Sequence, residues 1–216
     1  RSLVYHEGRA FRVVRAMLTL GQVDAGADRH LPTQTVRICS SCGAGHWNDE
    51  ASLCLACHKP LGDAEIINHS YRIENVATQP AERITANDEE RQRQGFELQT
   101  TFEWASRNNV PDVRRATAVD AAGDVAQLSY GPGTTITRLN KGLRRRRNRT
   151  QLGYMIDPIS GYWAKNEEEG VAAEDPTAAP RQWIVPTVQD RKNALLVQPV
   201  GSNLSAITVA TVQHAL

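Results

Sequence analysis

Cysteine occupies only four of the 216 positions, methionine two, and lysine only Lys59, Lys141, Lys165 and Lys192. Aromatic residues make up 6% of the chain, and no apolar run approaches the ~20 residues that a membrane-spanning helix needs. That absence excludes a helical membrane span within these residues, so no membrane partner is expected. An apolar signal segment is also missing at the N-terminal end, and no cysteine is left over beyond two tight pairs. Together these point to a reducing, cytoplasmic setting. No Gly-Lys-Ser/Thr phosphate loop occurs, so ATP is expected only through a motor domain outside this segment. His6-Glu7 lacks further ligands at helical spacing, and Asp88, Glu89 and Glu90 would diverge on a helix. No residue is assigned a catalytic role.

What the chain does contain is Cys39-Ser-Ser-Cys42 and Cys54-Leu-Ala-Cys57, with eleven residues between the pairs. Two thiolates separated by two residues grip one side of a metal from a tight turn, and a second pair completes a tetrahedral shell. Gly43, Gly45 and Pro60 supply turn chemistry beside them. The spacing reads as a structural zinc site on Cys39, Cys42, Cys54 and Cys57, in preference to disulfides or unrelated thiols. His46 and His58 lie in the same module as substitute ligands of lower rank. Zn²⁺ held by four thiolates staples a region too short to own a core.

At 40% hydrophobic and 23% charged, the chain reads as globular and mainly β, an α+β class of antiparallel strands with an inserted four-cysteine module. Residues 1–37 form a β-hairpin region, with Ser2–His6 pairing Ala10–Leu20 unless the latter is helical. Residues 38–60 are the zinc module. Residues 61–165 form a β-rich domain, with strands at Ile66–Ala77, Phe96–Trp104, Thr117–Asp120, Val125–Tyr130 and Thr134–Leu139. In it Phe96, Leu98 and Phe102 are expected to point inward, Ala121–Asp124 to form a four-residue hairpin loop, and Gly131-Pro-Gly133 to form a turn. A short helix is expected across Ile84–Gln94, capped by Asn87 or Asp88. Residues 166–180, acidic and rich in small residues, read as a linker. Residues 181–216 would begin a truncated C-terminal α/β domain, with strands Gln182–Val185 and Asn193–Gln198 and a helix capped by Ser202 or Ser205. The missing initiator methionine and the abrupt end suggest a piece of a longer protein.

Formal net charge is only +1, yet Arg138, Lys141, Arg144, Arg145, Arg146, Arg147 and Arg149 cluster with no acid among them. Guanidinium groups engage phosphate oxygens in pairs and stay charged at biological pH, so the cluster is a candidate nucleic-acid surface. Solvated surface, internal ion pairing, and a scaffold role in which the arginines dock on an acidic partner are the competing readings. Downstream, Tyr154, Tyr162 and Trp163 are candidates for base stacking or for the core.

Tyr5-His-Glu-Gly8, the two cysteine pairs, Ile84-Thr85, Asp88 to Glu97 and Tyr130 to Ile136 resemble segments of large bacterial DEAD/DEAH-type helicases of superfamily 2. Arg138 to Arg147, Gly153-Tyr154, Gly161-Tyr-Trp163 and Thr211 to Leu216 extend the resemblance. The group includes proteins of DISARM-type antiphage systems and DNA-repair helicases. The resemblance implies an accessory region that carries zinc and touches DNA beside a helicase motor in cis or in trans.

Overall fold

The computed structural model describes residues 3–18, 30–47, 51–81, 95–108, 110–164, 181–200 and 204–215. The expected helix at 84–94 and the linker at 166–180 lie outside them. β1 (Leu3–His6) and β2 (Arg9–Met17) form the expected hairpin, and β6 (Asn75–Pro80) pairs with β2 to complete a three-stranded sheet. The helical alternative for the second segment is thereby excluded.

The principal sheet is built from β3 (Gln34–Ile38), β4 (Gly45–His46), β5 (Glu65–Arg72), β7 (Phe96–Glu103), β10 (Arg114–Asp120), β11 (Gly123–Leu143), β12 (Tyr154–Ile156) and β13 (Gln182–Pro199). A two-stranded excursion, β8 (Ser106–Arg107) and β9 (Val110–Pro111), separates β7 from β10. Both β7 and β10 pair with β11, one along each half, while β13 takes the other side of β11 and pairs in parallel with β5. β5 continues to β3 and β3 to β4. An isolated bridge from Ala44 to Phe102 links the start of β4 back to β7. The hydrogen-bonded path thus returns on itself around Val36, Ile38, Ile67, Leu139 and Val185, against which Trp47 and Leu152 pack. A second core of Ala16, Leu31, Tyr71, Ile156 and Ile184 joins the N-terminal sheet to β12 and β13. Alternating apolar side chains on paired strands bury one face, which is why β-branched residues dominate the first of these cores.

Five local expectations are corrected. Gly131-Pro-Gly133 is not a turn between strands but a register shift inside one 21-residue strand. Gly131 lies flat against the Trp104 ring, where a Cβ would come within 2.3 Å of the ring, and Thr134 Oγ1 donates to Gly131 O at 2.9 Å. The two expected strands beyond residue 180 are one strand, because the polar stretch Gln189–Lys192 pairs with Thr134–Thr137. Residues 182–199 therefore lie within the principal sheet. Ile66–Ala77 divides at Ile73-Glu74 between the two sheets, and the loop at the tip of β10–β11 has two residues, because Asp120 pairs with Gly123. On β7, Leu98 is 60% exposed and Thr101 is buried, so the inward set of that strand is offset from the expected one. A single helix among the described residues, α1 (Ala206–Ala215), is capped by Ser205, whose Oγ accepts from Thr208 N at 3.1 Å.

Candidate metal centre and basic surface

β3 delivers Cys39 directly from its buried end, and the chain then folds through two turns of the same design. In the first, Gly43 N donates to Cys39 O at 2.9 Å and Cys39 N to Ala44 O at 2.9 Å. In the second, His58 N donates to Cys54 O at 2.8 Å and Cys54 N to Lys59 O at 2.8 Å. The residue after the second cysteine of each pair is left-handed, Gly43 at φ 77° and His58 at φ 58°. Glycine adopts that conformation without steric cost, whereas histidine must be held there by the turn.

These turns bring together all four predicted ligands. Cys39 Sγ lies 3.7 Å from Cys57 Sγ and Cys42 Sγ 3.6 Å from Cys54 Sγ, and the four sulfurs fall within 4.8 Å of one another. All four thiols are free of disulfides. Such a set can hold one metal ion. Hydrogen-bond donors converge on Cys54: Cys42 foremost, then the backbone N–H groups of Cys57 and Ala56, then His46, whose Nε2 is 3.3 Å away. They outweigh burial and bring the Cys54 thiol down to about 3, while the shared proton pushes Cys42 up. His46 is thus a buried partner of a sulfur, and His58 is a turn residue.

Three supports of this centre were not legible in the sequence. Arg37 donates from Nη1 to Ala51 O at 2.8 Å and from Nη2 to Leu61 O at 2.9 Å, tying the second pair's flanks to β3. Thr101 Oγ1 donates to Gly43 O at 2.7 Å, and Phe102 packs against the cysteine cluster. The centre is therefore fastened to both β3 and β7.

The structure divides the basic cluster into two groups. Lys141 and Arg146 are committed inward: their side chains are 12% and 7% exposed, Lys141 Nζ pairs with Glu65 and reaches Glu97 at 3.7 Å, and Arg146 Nη1 meets Glu97 Oε2 at 2.6 Å. Arg146 also donates to Leu143 O and Arg149 O, so it clamps the loop that carries its neighbours. Arg144 donates from Nε to Phe96 O at 3.1 Å. Arg138, Arg145 and Arg149 are exposed and make no ion pair among the described residues, and Arg147 is exposed as well. Of the aromatics, Tyr154 and Trp163 pack edge to face, with burial raising Tyr154 to about 12, whereas Tyr162 is exposed beneath the Arg15 guanidinium at 5.8 Å.

Comparison with protein-family models, with curated proteins and with solved structures finds no match to this chain. No helix among the described residues is long and apolar enough to cross a membrane.

The ion pairs at the base of the arginine loop carry a pH signature. The hydrogen bond from Arg146, reinforced by the charges of Arg146 and Lys141, holds Glu97 below its ordinary value of 4.5. Burial alone would raise Glu65, but the Lys141 ammonium and the Gln99 amide outweigh it. Groups with lowered values stabilise the fold above the unfolded carboxylate value and lose that contribution as pH falls through the folded one. Glu97→Gln is therefore expected to be less stable than wild type at pH 7, with the gap closing below about pH 4. Urea denaturation of both proteins across that range checks it; a gap independent of pH would contradict the assignment.

Proposed function

We propose that the chain is a zinc-stapled accessory module that holds DNA beside an ATP-driven helicase motor of the superfamily 2 type it resembles. Zinc is favoured by sulfur spacing: a tetrahedral ion with Zn–S bonds of about 2.3 Å sets sulfurs about 3.8 Å apart, and two of the pairs stand at 3.7 and 3.6 Å. Four thiolates leave no position open for a substrate, so the metal's role is structural.

The observation that carries the DNA reading is the charge left over at the arginine loop. Seven cations between Arg138 and Arg149 meet the two carboxylates of Glu65 and Glu97, which engage Lys141 and Arg146. Of the others, Arg138 stands on β11, and Arg145 and Arg149 on a loop whose base is fixed; these three are exposed and make no ion pair among the described residues. Exposed guanidiniums of this kind suit a phosphate backbone, for which affinity follows charge number and salt.

The test is binding of labelled DNA by fluorescence anisotropy over a salt series. In an Arg138→Ser, Arg145→Ser, Arg149→Ser variant, affinity is expected to fall by one to two orders of magnitude near 0.1 M salt, with a slope shallower by about one unit per lost phosphate contact. Equal affinity and slope in wild type and variant would overturn the reading. Lys141 and Arg146 are left intact because their removal would disturb the loop itself.

A further inference from the structure

β10 forms one end of the principal sheet, and its only strand partner among the described residues is β11. Natural sheets guard such an edge with charged side chains, lysine above all, or with proline, a bulge or a covering element. The strand reads Arg-Arg-Ala-Thr-Ala-Val-Asp and has neither lysine nor proline. Its irregularity against β11 places the extra residue, Val125, on β11, so β10 itself runs straight. Val119 on β10, Val125 on β11 and Leu195 on β13 are 67%, 46% and 58% exposed.

The charge order along β10 suits a second copy of itself. When two β10 strands lie antiparallel about Thr117, Arg114 faces the partner's Asp120, and Asp120 faces the partner's Arg114. Arg115 then faces the partner's Val119, and Ala116 the partner's Ala118. Alternate residues of an edge strand point their N–H and C=O groups outward. A two-fold centred on a residue joins positions of like parity, so outward groups meet outward groups whichever alternate set is free. Centring on Ala116 or Ala118 forfeits both ion pairs, and parallel in-register alignment sets arginine beside arginine.

We propose that the chain self-associates edge to edge through β10, about a two-fold axis at Thr117, extending the β10–β11–β13 arm into a six-stranded sheet. The axis stands perpendicular to the sheet, so equivalent faces of both copies point the same way. Arg115 Nη2 donates to Ala56 O at 3.1 Å, which ties the second cysteine turn to one face of the arm. Both metal modules therefore lie on one side of the joined sheet. The contact does not involve the arginine loop, so it stands or falls independently of DNA binding.

A seven-residue edge is small, so the dimer is expected to be weak and concentration-dependent. Sedimentation velocity of the zinc-loaded chain from about 1 to 500 µM reads it directly. Wild type is expected to shift from monomer to dimer across that range. Arg114→Asp and Asp120→Arg should each weaken self-association roughly tenfold or more, because two attractive pairs become repulsive. An equimolar mixture of these variants should restore the dimer, as should the double exchange within one chain. Asp120 Oδ1 also accepts from Ala122 N at 2.7 Å and Gly123 N at 3.0 Å, so Asp120→Asn, which keeps an acceptor in the turn, serves as a second weakening variant. A wild type that stays monomeric, an Arg114→Asp variant that associates like wild type, or a mixture that fails to recover would each overturn the proposal. The first of these would leave the edge to a different partner.

Discussion

Cys54→Ser is expected to lose the bound metal and the fixed structure of residues 38–61, with the thermal midpoint lowered by more than about 10 °C. Cys54 is fully buried and belongs to a small core of Cys39, Ala44, Cys54 and Leu61, against which Phe102 packs. That core is too slight to hold two turns closed without the ion, since structural zinc supplies on the order of 10 kcal/mol in comparable small modules. The damage should stop short of the whole molecule. The cluster around Ile67, Leu139 and Val185 and the cluster around Tyr71, Ile156 and Ile184 contain no cysteine. Metal analysis together with amide hydrogen exchange checks both halves of the expectation: protection should vanish across 38–61 and persist in β11 and β13. His46→Ala, which removes only a partner of the Cys54 sulfur, should weaken metal retention by about one to two orders of magnitude without abolishing it. A Cys54→Ser protein with full zinc content and unchanged melting would contradict the whole account of the centre.

Gly153→Ala is expected to cost more than about 3 kcal/mol, a shift of roughly 6–12 °C in a chain of this size. Gly153 sits at φ 92°, and a Cβ there would come within 2.1 Å of Ile184 O in β13, against which β12 must lie. Backbone cannot yield that distance as a flexible side chain would. Gly153 N also donates to Lys141 O at 3.0 Å, and Tyr154 Oη donates to Asn140 Oδ1 at 3.0 Å. The residue therefore closes the base of the 141–153 loop, and the substitution should reduce DNA affinity along with stability. Calorimetry and anisotropy on one preparation read the two effects together. A variant with an unchanged melting temperature would show that the β12–β13 contact is looser than its geometry states.

The parts of the molecule visible from sequence are those governed by short-range rules. The paired cysteines announce their turns because ligand spacing is local, and the β1–β2 hairpin follows from apolar residues flanking Glu7-Gly8. The β-rich class follows from the same local alternation. What escaped depends on distant partners. Gly131-Pro-Gly133 has the composition of a turn, and only the Trp104 ring pressed on Gly131 explains why the strand passes through it. Gln189–Lys192 is polar enough to read as a loop, yet each residue has a cross-strand neighbour in β11. The arginine run read as one surface because nothing nearby in sequence is acidic. The carboxylates that claim Lys141 and Arg146 stand on β5 and β7, 76 and 49 residues away respectively. Leu98 pairs with Asn140 in a register that runs unbroken from Glu103, so burial of Thr101 puts Leu98 on the opposite, exposed face, a consequence of tertiary placement that alternation alone does not reveal.

The claim on which the rest depends is that four sulfurs, and nothing else, hold one zinc ion. X-ray absorption at the zinc edge of the purified chain tests it most directly. The account predicts one ion per chain with four sulfur neighbours at about 2.3 Å. A nitrogen or oxygen in the shell, or no bound zinc in a folded protein, would contradict it.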